Sequence, residues 1–156
     1  MKTQAMRILE GKKIPYDLLI YPAFEKDAEI IASILNLSPA DVYKTLVAVR
    51  GSSKPLLLMI PANTKLDLKK VAKIVGEKKV KMASQQEAEL LTGLQVGGIS
   101  ALALINKGFA PFLDKSAMEK KKMYVSAGKR GYQIGIDPQD LLAVTKSKVI
   151  DAVSTK

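Results

Sequence analysis

The hydrophobic and polar positions change period several times along the chain, and each change marks an element. Thr3 stands ahead of Ala5, Met6 and Leu9, which share one helical face, and Gly11 follows; the spacing predicts a short capped helix over 3–10. Residues 14–21 are apolar and partly alternating, which predicts a strand. Asp27 opens a helix carrying Ile30, Ile31, Ile34 and Leu35, and Ser38-Pro39 reads as the cap and first position of another short helix. Residues 44–49 and 55–60 are aliphatic and β-branched around Gly51-Ser52-Ser53, the pattern of a hairpin with a long loop. Residues 67–75 put Leu68, Val71, Ala72 and Val75 on one side and Lys69, Lys70 and Lys73 on the other, a helix that Gly76 ends.

A short strand is expected over 80–82, and Ser84 and Glu87 have the spacing of a capping box for a helix running to Gly93. Residues 94–105 read as a glycine-containing apolar loop returning to a strand. Three more strands are expected at 112–114, 123–126 and 132–136, then a helix from Asp137-Pro138 through Val144 and a short final element at Ile150. This order mixes hairpins with crossovers. It predicts an α/β (α+β mixed) fold with a mixed sheet and helices packed outside, rather than a regular βαβ repeat. With 156 residues and no linker, repeat or low-complexity stretch, residues 1–156 are read as a single domain.

Composition narrows the chemistry. The chain holds no histidine and no cysteine, which removes disulfides, thiol nucleophiles, imidazole acid–base catalysis and nearly every zinc site. Asp and Glu show no EF-hand spacing, so no metal or cofactor is expected. The net charge is +10 and uneven: residues 65–81 carry seven Lys against two acids, and residues 107–131 carry six Lys and Arg130 against two acids. A polyanion is the natural partner for such windows, with lysine-based solubility as the plain alternative. No run approaches the roughly 18 apolar residues of a membrane span, and residues 1–10 lack the apolar core of a signal peptide. A cytoplasmic protein without a membrane partner is expected.

Three segments gather polar groups and glycine at strand ends. Tyr43-Lys44-Thr45 begins a buried strand, where a lysine either reaches the surface or stands beside a site. Gly97-Gly98-Ile99-Ser100 lets backbone approach a ligand closely, or simply turns. Ser126-Ala127-Gly128-Lys129-Arg130-Gly131 joins two strands and suits phosphate contact, or is an ordinary charged hairpin loop; its spacing is not that of a P-loop.

Taken together these segments resemble the YbaK/ProX aminoacyl-tRNA deacylases, relatives of the editing domain of prolyl-tRNA synthetases. The resemblance runs from Thr3, Ala5, Met6, Leu9 and Lys13-Ile14-Pro15-Tyr16 through Val42-Tyr43-Lys44-Thr45-Leu46 and Leu66-Asp67-Leu68-Lys69-Lys70-Val71-Ala72. It continues in Thr92-Gly93, Val96-Gly97-Gly98-Ile99-Ser100 and Tyr124-Val125-Ser126-Ala127-Gly128-Lys129-Arg130-Gly131. It implies hydrolysis of a wrongly esterified tRNA, preferably Cys-tRNA for proline. The alternatives are another small aminoacyl-tRNA such as that of Ala, or a non-catalytic tRNA- or synthetase-binding module. The fold implied is a mostly antiparallel, curved and nearly closed sheet.

Carried over by motif, Lys44 is the essential lysine, and Tyr21, Thr45, Gly97, Gly98, Ile99, Ser100, Ser126, Gly128 and Gln133 are read as substrate-binding positions. Lys69, Lys70, Lys73, Lys121, Lys129 and Arg130 are read as tRNA contacts, with tRNA and a prolyl-tRNA synthetase as partners and no role for DNA. The chain departs from the family's cysteine-specific members at Gln133, where they carry Asp, at Ala101, where they carry Pro, and in a shorter loop between Tyr21 and Asp27. Those changes touch pocket walls rather than Lys44.

Overall fold

The computed structural model describes residues 2–154. The chain opens with helix α1 (Gln4–Gly11), capped by Thr3, whose Oγ1 accepts from the Met6 amide at 3.3 Å. Gly11 lies inside the last turn instead of ending it, and Lys13 takes the left-handed conformation, φ 59°. Strand β1 (Asp17–Ile20) and helix α2 (Ala28–Ile34) follow, with Asp27 as the cap of α2.

The helix expected after Ser38-Pro39 is a single turn. Ser38 Oγ accepts from the Ala40 amide at 3.2 Å, but the Asp41 carbonyl accepts from the Tyr124 amide at 3.0 Å, which draws the chain out into extended backbone at once. Strands β2 (Tyr43–Val49) and β3 (Leu56–Pro61) then form the expected antiparallel hairpin, with Lys44 opposite Ile60.

Helix α3 (Leu68–Val75) is capped by Asp67 and closed by Gly76 at φ 77°. Strand β4 (Lys81–Met82) pairs with β2, and α4 (Gln85–Thr92) starts from the Ser84/Glu87 capping box. A 3-10 turn at Leu102–Leu104 leads to β5 (Ala110–Asp114), and a second at Lys115–Glu119, not foreseen, leads to β6 (Met123–Ser126). Strand β7 (Tyr132–Ile136), helix α5 (Pro138–Thr145) and β8 (Lys148–Ile150) complete the chain.

The strands form two sheets rather than one nearly closed sheet. One runs β4-β2-β3-β5-β8, antiparallel around β2 and parallel across β3, β5 and β8; the other is the antiparallel β1-β7-β6. A lone bridge, Val42 to Tyr124, joins them, because only one rung forms before β2 turns away to pair with β3.

Between the sheets lies the main core, where Tyr43, Val47, Leu57, Met59 and Leu113 share a cluster with Met123, Val125, Ile134 and Ile136. Helix α1 closes it with Met6 and Leu9, and α5 with Leu141. The opposite face of the five-stranded sheet packs Ala48, Leu56, Leu58 and Ile60 with Val71 and Ala72 of α3. β3 is therefore buried on both faces, which is why it reads as an unbroken apolar run. The mouth of the site lies where β2 leaves this core beside the β6–β7 pair.

Candidate active site

A cavity of about 280 Å³ opens between β2, the start of α2, the 96–99 loop and the β6–β7 pair. Lys44 lines it, half-buried, with its Nζ donating to the Ala62 carbonyl at 3.1 Å. Burial pushes the Lys44 ammonium below the ordinary lysine range, and the carboxylates of Glu29 and Asp27 pull the other way. Its head ends at a backbone carbonyl beside the cavity.

Ser126 and Gln133 reach the same cavity because they are cross-strand partners in the β6–β7 ladder. Gln133 is only 4% exposed and so does not face outward. Its Oε1 and the Oγ1 of Thr45 are buried without a hydrogen-bond partner among the described residues. Unpaired polar atoms of this kind cost free energy unless a ligand or solvent meets them, so the cavity wall is chemically incomplete by itself. Ile99 and Gly97 form part of the wall.

The glycine pair does a different job from the one expected. A Cβ on Gly98 would come within 2.9 Å of the Arg130 amide nitrogen, and the Gly98 amide already donates to the Gln95 carbonyl at 2.8 Å. Gly97, at φ 94°, would place a Cβ 2.6 Å from the Lys26 Cβ. The close approach is thus of Gly98 to the 129–130 backbone and of Gly97 to Lys26. Arg130 fastens the same contact through its Nε, which donates to the Val96 carbonyl at 2.7 Å.

Several expected site residues stand behind the wall. Tyr21 is buried with its amide donating to the Gly131 carbonyl at 2.9 Å, prolonging the β1–β7 ladder, and its hydroxyl has no partner among the described residues. Ser100 is buried beside Gly128, and the Gly128 amide donates to Ser126 Oγ at 3.2 Å, which tightens the turn under the site. Neither Tyr21, Gly98, Ser100 nor Gly128 lines the cavity.

The expected tRNA contacts divide. Lys69 and Lys73 are exposed on α3, but Lys70 is turned back to Asp151 at 3.2 Å and to the Val153 carbonyl at 2.8 Å. Lys121 is exposed, Lys129 lies 6.0 Å from the Tyr132 ring centre, and Arg130 is held by Val96.

The residues missed from sequence come from the start of α2: Lys26, Asp27 and Glu29 all line the cavity. Their loop is fixed by Glu25 Oε2, which accepts from the amides of Lys26 and Asp27 at 3.1 Å. The signal was present, since a capping Asp followed by Glu closes the very loop singled out as a pocket wall. Their position opposite Lys44 was not readable. No metal-ligating cluster of three or more His, Cys, Asp or Glu occurs among the described residues.

The chain is 38% identical to an Enterococcus faecalis protein provisionally named Cys-tRNA(Pro)/Cys-tRNA(Cys) deacylase EbsC, over 99% of this chain and 94% of that one. It is 29% identical to a proline–tRNA ligase of Thermodesulfovibrio yellowstonii over 76% of this chain but 20% of the ligase. Among solved structures, the hypothetical protein APE2540 superposes with a TM-score of 0.89 at 23% identity, covering 97% of this chain and all of that one. A structure provisionally described as a trans-editing enzyme for prolyl-tRNA synthetase gives 0.82 at 23% identity and 99% coverage of both chains. The sequence profile of the aminoacyl-tRNA editing domain matches residues 25–144, a span that contains Lys44, both carboxylates at the start of α2, the 96–99 loop and the β6–β7 pair. The chain belongs to the aminoacyl-tRNA editing domain family.

Proposed function

We propose that the protein, its residues 1–156 forming one editing domain, hydrolyses the ester between a wrongly attached small amino acid and the 3′ end of a tRNA, with Cys-tRNA for proline as substrate. The observation that carries this reading is a small chamber holding a half-buried lysine beside unpaired polar oxygens, with no side-chain nucleophile of the Cys or His-activated kind. At about 280 Å³ the chamber sits at the low end of ligand pockets, which suits a small aminoacyl group and its ribose.

An aminoacyl ester is already activated, so modest assistance suffices. Attack on the carbonyl carbon, by water or by the thiol of a cysteinyl ester, places negative charge on the carbonyl oxygen. The Lys44 ammonium stabilises that charge or holds the terminal phosphate, and fixed groups orient the ester. Collapse breaks the acyl–oxygen bond and passes the nucleophile's proton to the ribose oxygen; water as nucleophile releases the free amino acid, and the thiol releases a β-thiolactone that water then opens. The carboxylates of Asp27 and Glu29, on the wall acting on Lys44, are the groups that face the substrate's α-ammonium. A prolyl-tRNA synthetase as partner and the cytoplasm as location belong to the same proposal; no helix among the described residues is long and apolar enough to cross a membrane.

A panel of mischarged tRNAs tests it. Wild-type protein is expected to release Cys from tRNA for proline fastest, and Lys44→Ala to slow release by about 10²-fold or more. Full turnover by folded Lys44→Ala protein removes the assignment. Preferred release of Ala identifies the second substrate, which the uncharged Gln133 favours.

A further inference from the structure

The two basic windows of the sequence look alike in charge, yet the fold treats them differently. In the 107–131 window, Lys115 pairs with Asp151, Lys120 with Asp41 and Lys122 with Asp17, while Arg130 is held by the Val96 carbonyl and Lys129 lies against Tyr132. Of the lysines in the 65–81 window, only Lys70 enters an ion pair among the described residues. Its two acids are also engaged, Asp67 in capping α3 and Glu77 opposite Arg50 at 4.0 Å. Lys78, Lys79 and Lys81 are all exposed.

A second compartment of about 210 Å³ lies beside the site, with Met82, the neighbour of Lys81, in its wall. It shares Thr45, Leu46, Val96, Gly97 and Ile99 with the Lys44 cavity, so the two adjoin along one wall. Beyond the shared residues it is walled by Val47, Met82, Ala83 and Ala88, with Ser84 and Gln85 at the start of α4. Met82 directly follows Lys81 in β4.

Resting on the function proposed above, we infer that the RNA leaves the Lys44 chamber through this compartment and lays its phosphates on Lys78, Lys79 and Lys81, and that the 107–131 window is not the docking surface. The chemistry fits each part of the path. An apolar wall with an exposed amide at Gln85 suits a base seated by its face and read at its edge. Past it, exposed unpaired ammonium groups suit phosphodiesters, whereas lysines already neutralised by carboxylates would have to break those pairs first. The partner is a single-stranded 3′ end with the adjoining duplex.

Two double charge reversals test this, Lys79→Glu/Lys81→Glu and Lys107→Glu/Lys121→Glu. All four lysines are exposed and in no ion pair among the described residues, and both variants change the net charge equally. The probes are an uncharged acceptor-stem minihelix ending in CCA, followed by fluorescence anisotropy against salt, and a 3′-aminoacyl-adenosine ester, followed by hydrolysis. The first variant is expected to raise Kd for the minihelix about 10-fold and to flatten the log–log salt slope by about 1.5, two contacts at roughly 0.7–0.9 each. It should leave hydrolysis of the adenosine ester at the wild-type rate, and the second variant should shift Kd by less than about 2-fold. Equal weakening by both, a larger effect of the second, or no effect of either overturns the inference. Failure of the wild type to hydrolyse the adenosine ester overturns the proposed function instead, and the binding comparison still stands or falls separately.

Discussion

Lys44 carries a conflict that stability does not require and that the proposed function would use. Burial disfavours its ammonium form, and Glu29 and Asp27 only partly restore it. Because its folded-state pKa is lowered, the protein gains stability as pH rises through that pKa toward the ordinary lysine value, where the unfolded chain still binds the proton. If the ammonium is the productive form, the rate over uncatalysed hydrolysis falls across the same rise, and at lower pH than for an exposed lysine; a profile that falls only with the ordinary lysine titration, or not at all, contradicts that role. Lys44→Met should change thermal stability by no more than about 1 kcal/mol, since the lost bond to Ala62 is offset by removing a half-buried charge. On the proposed function, Gln133 is the residue at the same scale that would read the substrate. Its unpaired Oε1 accepts one hydrogen bond without carrying charge. Gln133→Asp should therefore shift relative rates toward the cysteinyl ester by about 1–2 kcal/mol, and identical substrate profiles would show that this residue does not read the substrate.

Elements meet at the site through contacts that have no local sequence logic. The 96–99 loop is seated on the β6–β7 turn because Gly98 lets backbone meet backbone, and the guanidinium of Arg130 locks the seat onto Val96. Gly98→Ala puts a Cβ 2.9 Å from a backbone nitrogen, an atom with little freedom to retreat. The expected result is a loss of about 1–3 kcal/mol in denaturant unfolding together with a loss of activity, because the loop also forms the wall opposite Lys44. An unchanged midpoint would show that the two elements separate readily. Tyr43 is a second anchor: its hydroxyl and Ser116 Oγ lie 2.7 Å apart, and burial pushes its pKa up to about 12, so it stays protonated as a structural group.

At the scale of the whole molecule, the +10 net charge sets how strongly RNA is drawn in and how steeply salt weakens binding. If four to six lysines of the 65–81 window meet phosphates, log K against log salt should fall with a slope of about −3 to −5. A flat profile would show that the charge serves solubility alone. The fold supports such a surface because α3 packs Val71 and Ala72 onto the five-stranded sheet and turns Lys69 and Lys73 to solvent.

Local signals determined most of the elements by themselves. Helix caps at Thr3, Asp27, Asp67, Ser84 and Asp137 accept the amides their spacing requires, since capping depends on residues within one turn. Lys44, Thr45, Ser126 and Gln133 were singled out through the family resemblance rather than by local pattern, and strand register then sets Ser126 opposite Gln133. Tertiary structure decided the rest. It split the strands into two sheets, because pairing between β2 and β6 depends on a single rung formed across about eighty residues. It turned Gly98, Tyr21, Ser100 and Gly128 into supports behind the wall, and it added Asp27 and Glu29 from an element whose sequence shows only a capped helix. It also paired Lys115, Lys120 and Lys122 of one basic window with carboxylates and left most lysines of the other open, since ion pairing joins residues far apart in the chain and net charge counts only totals.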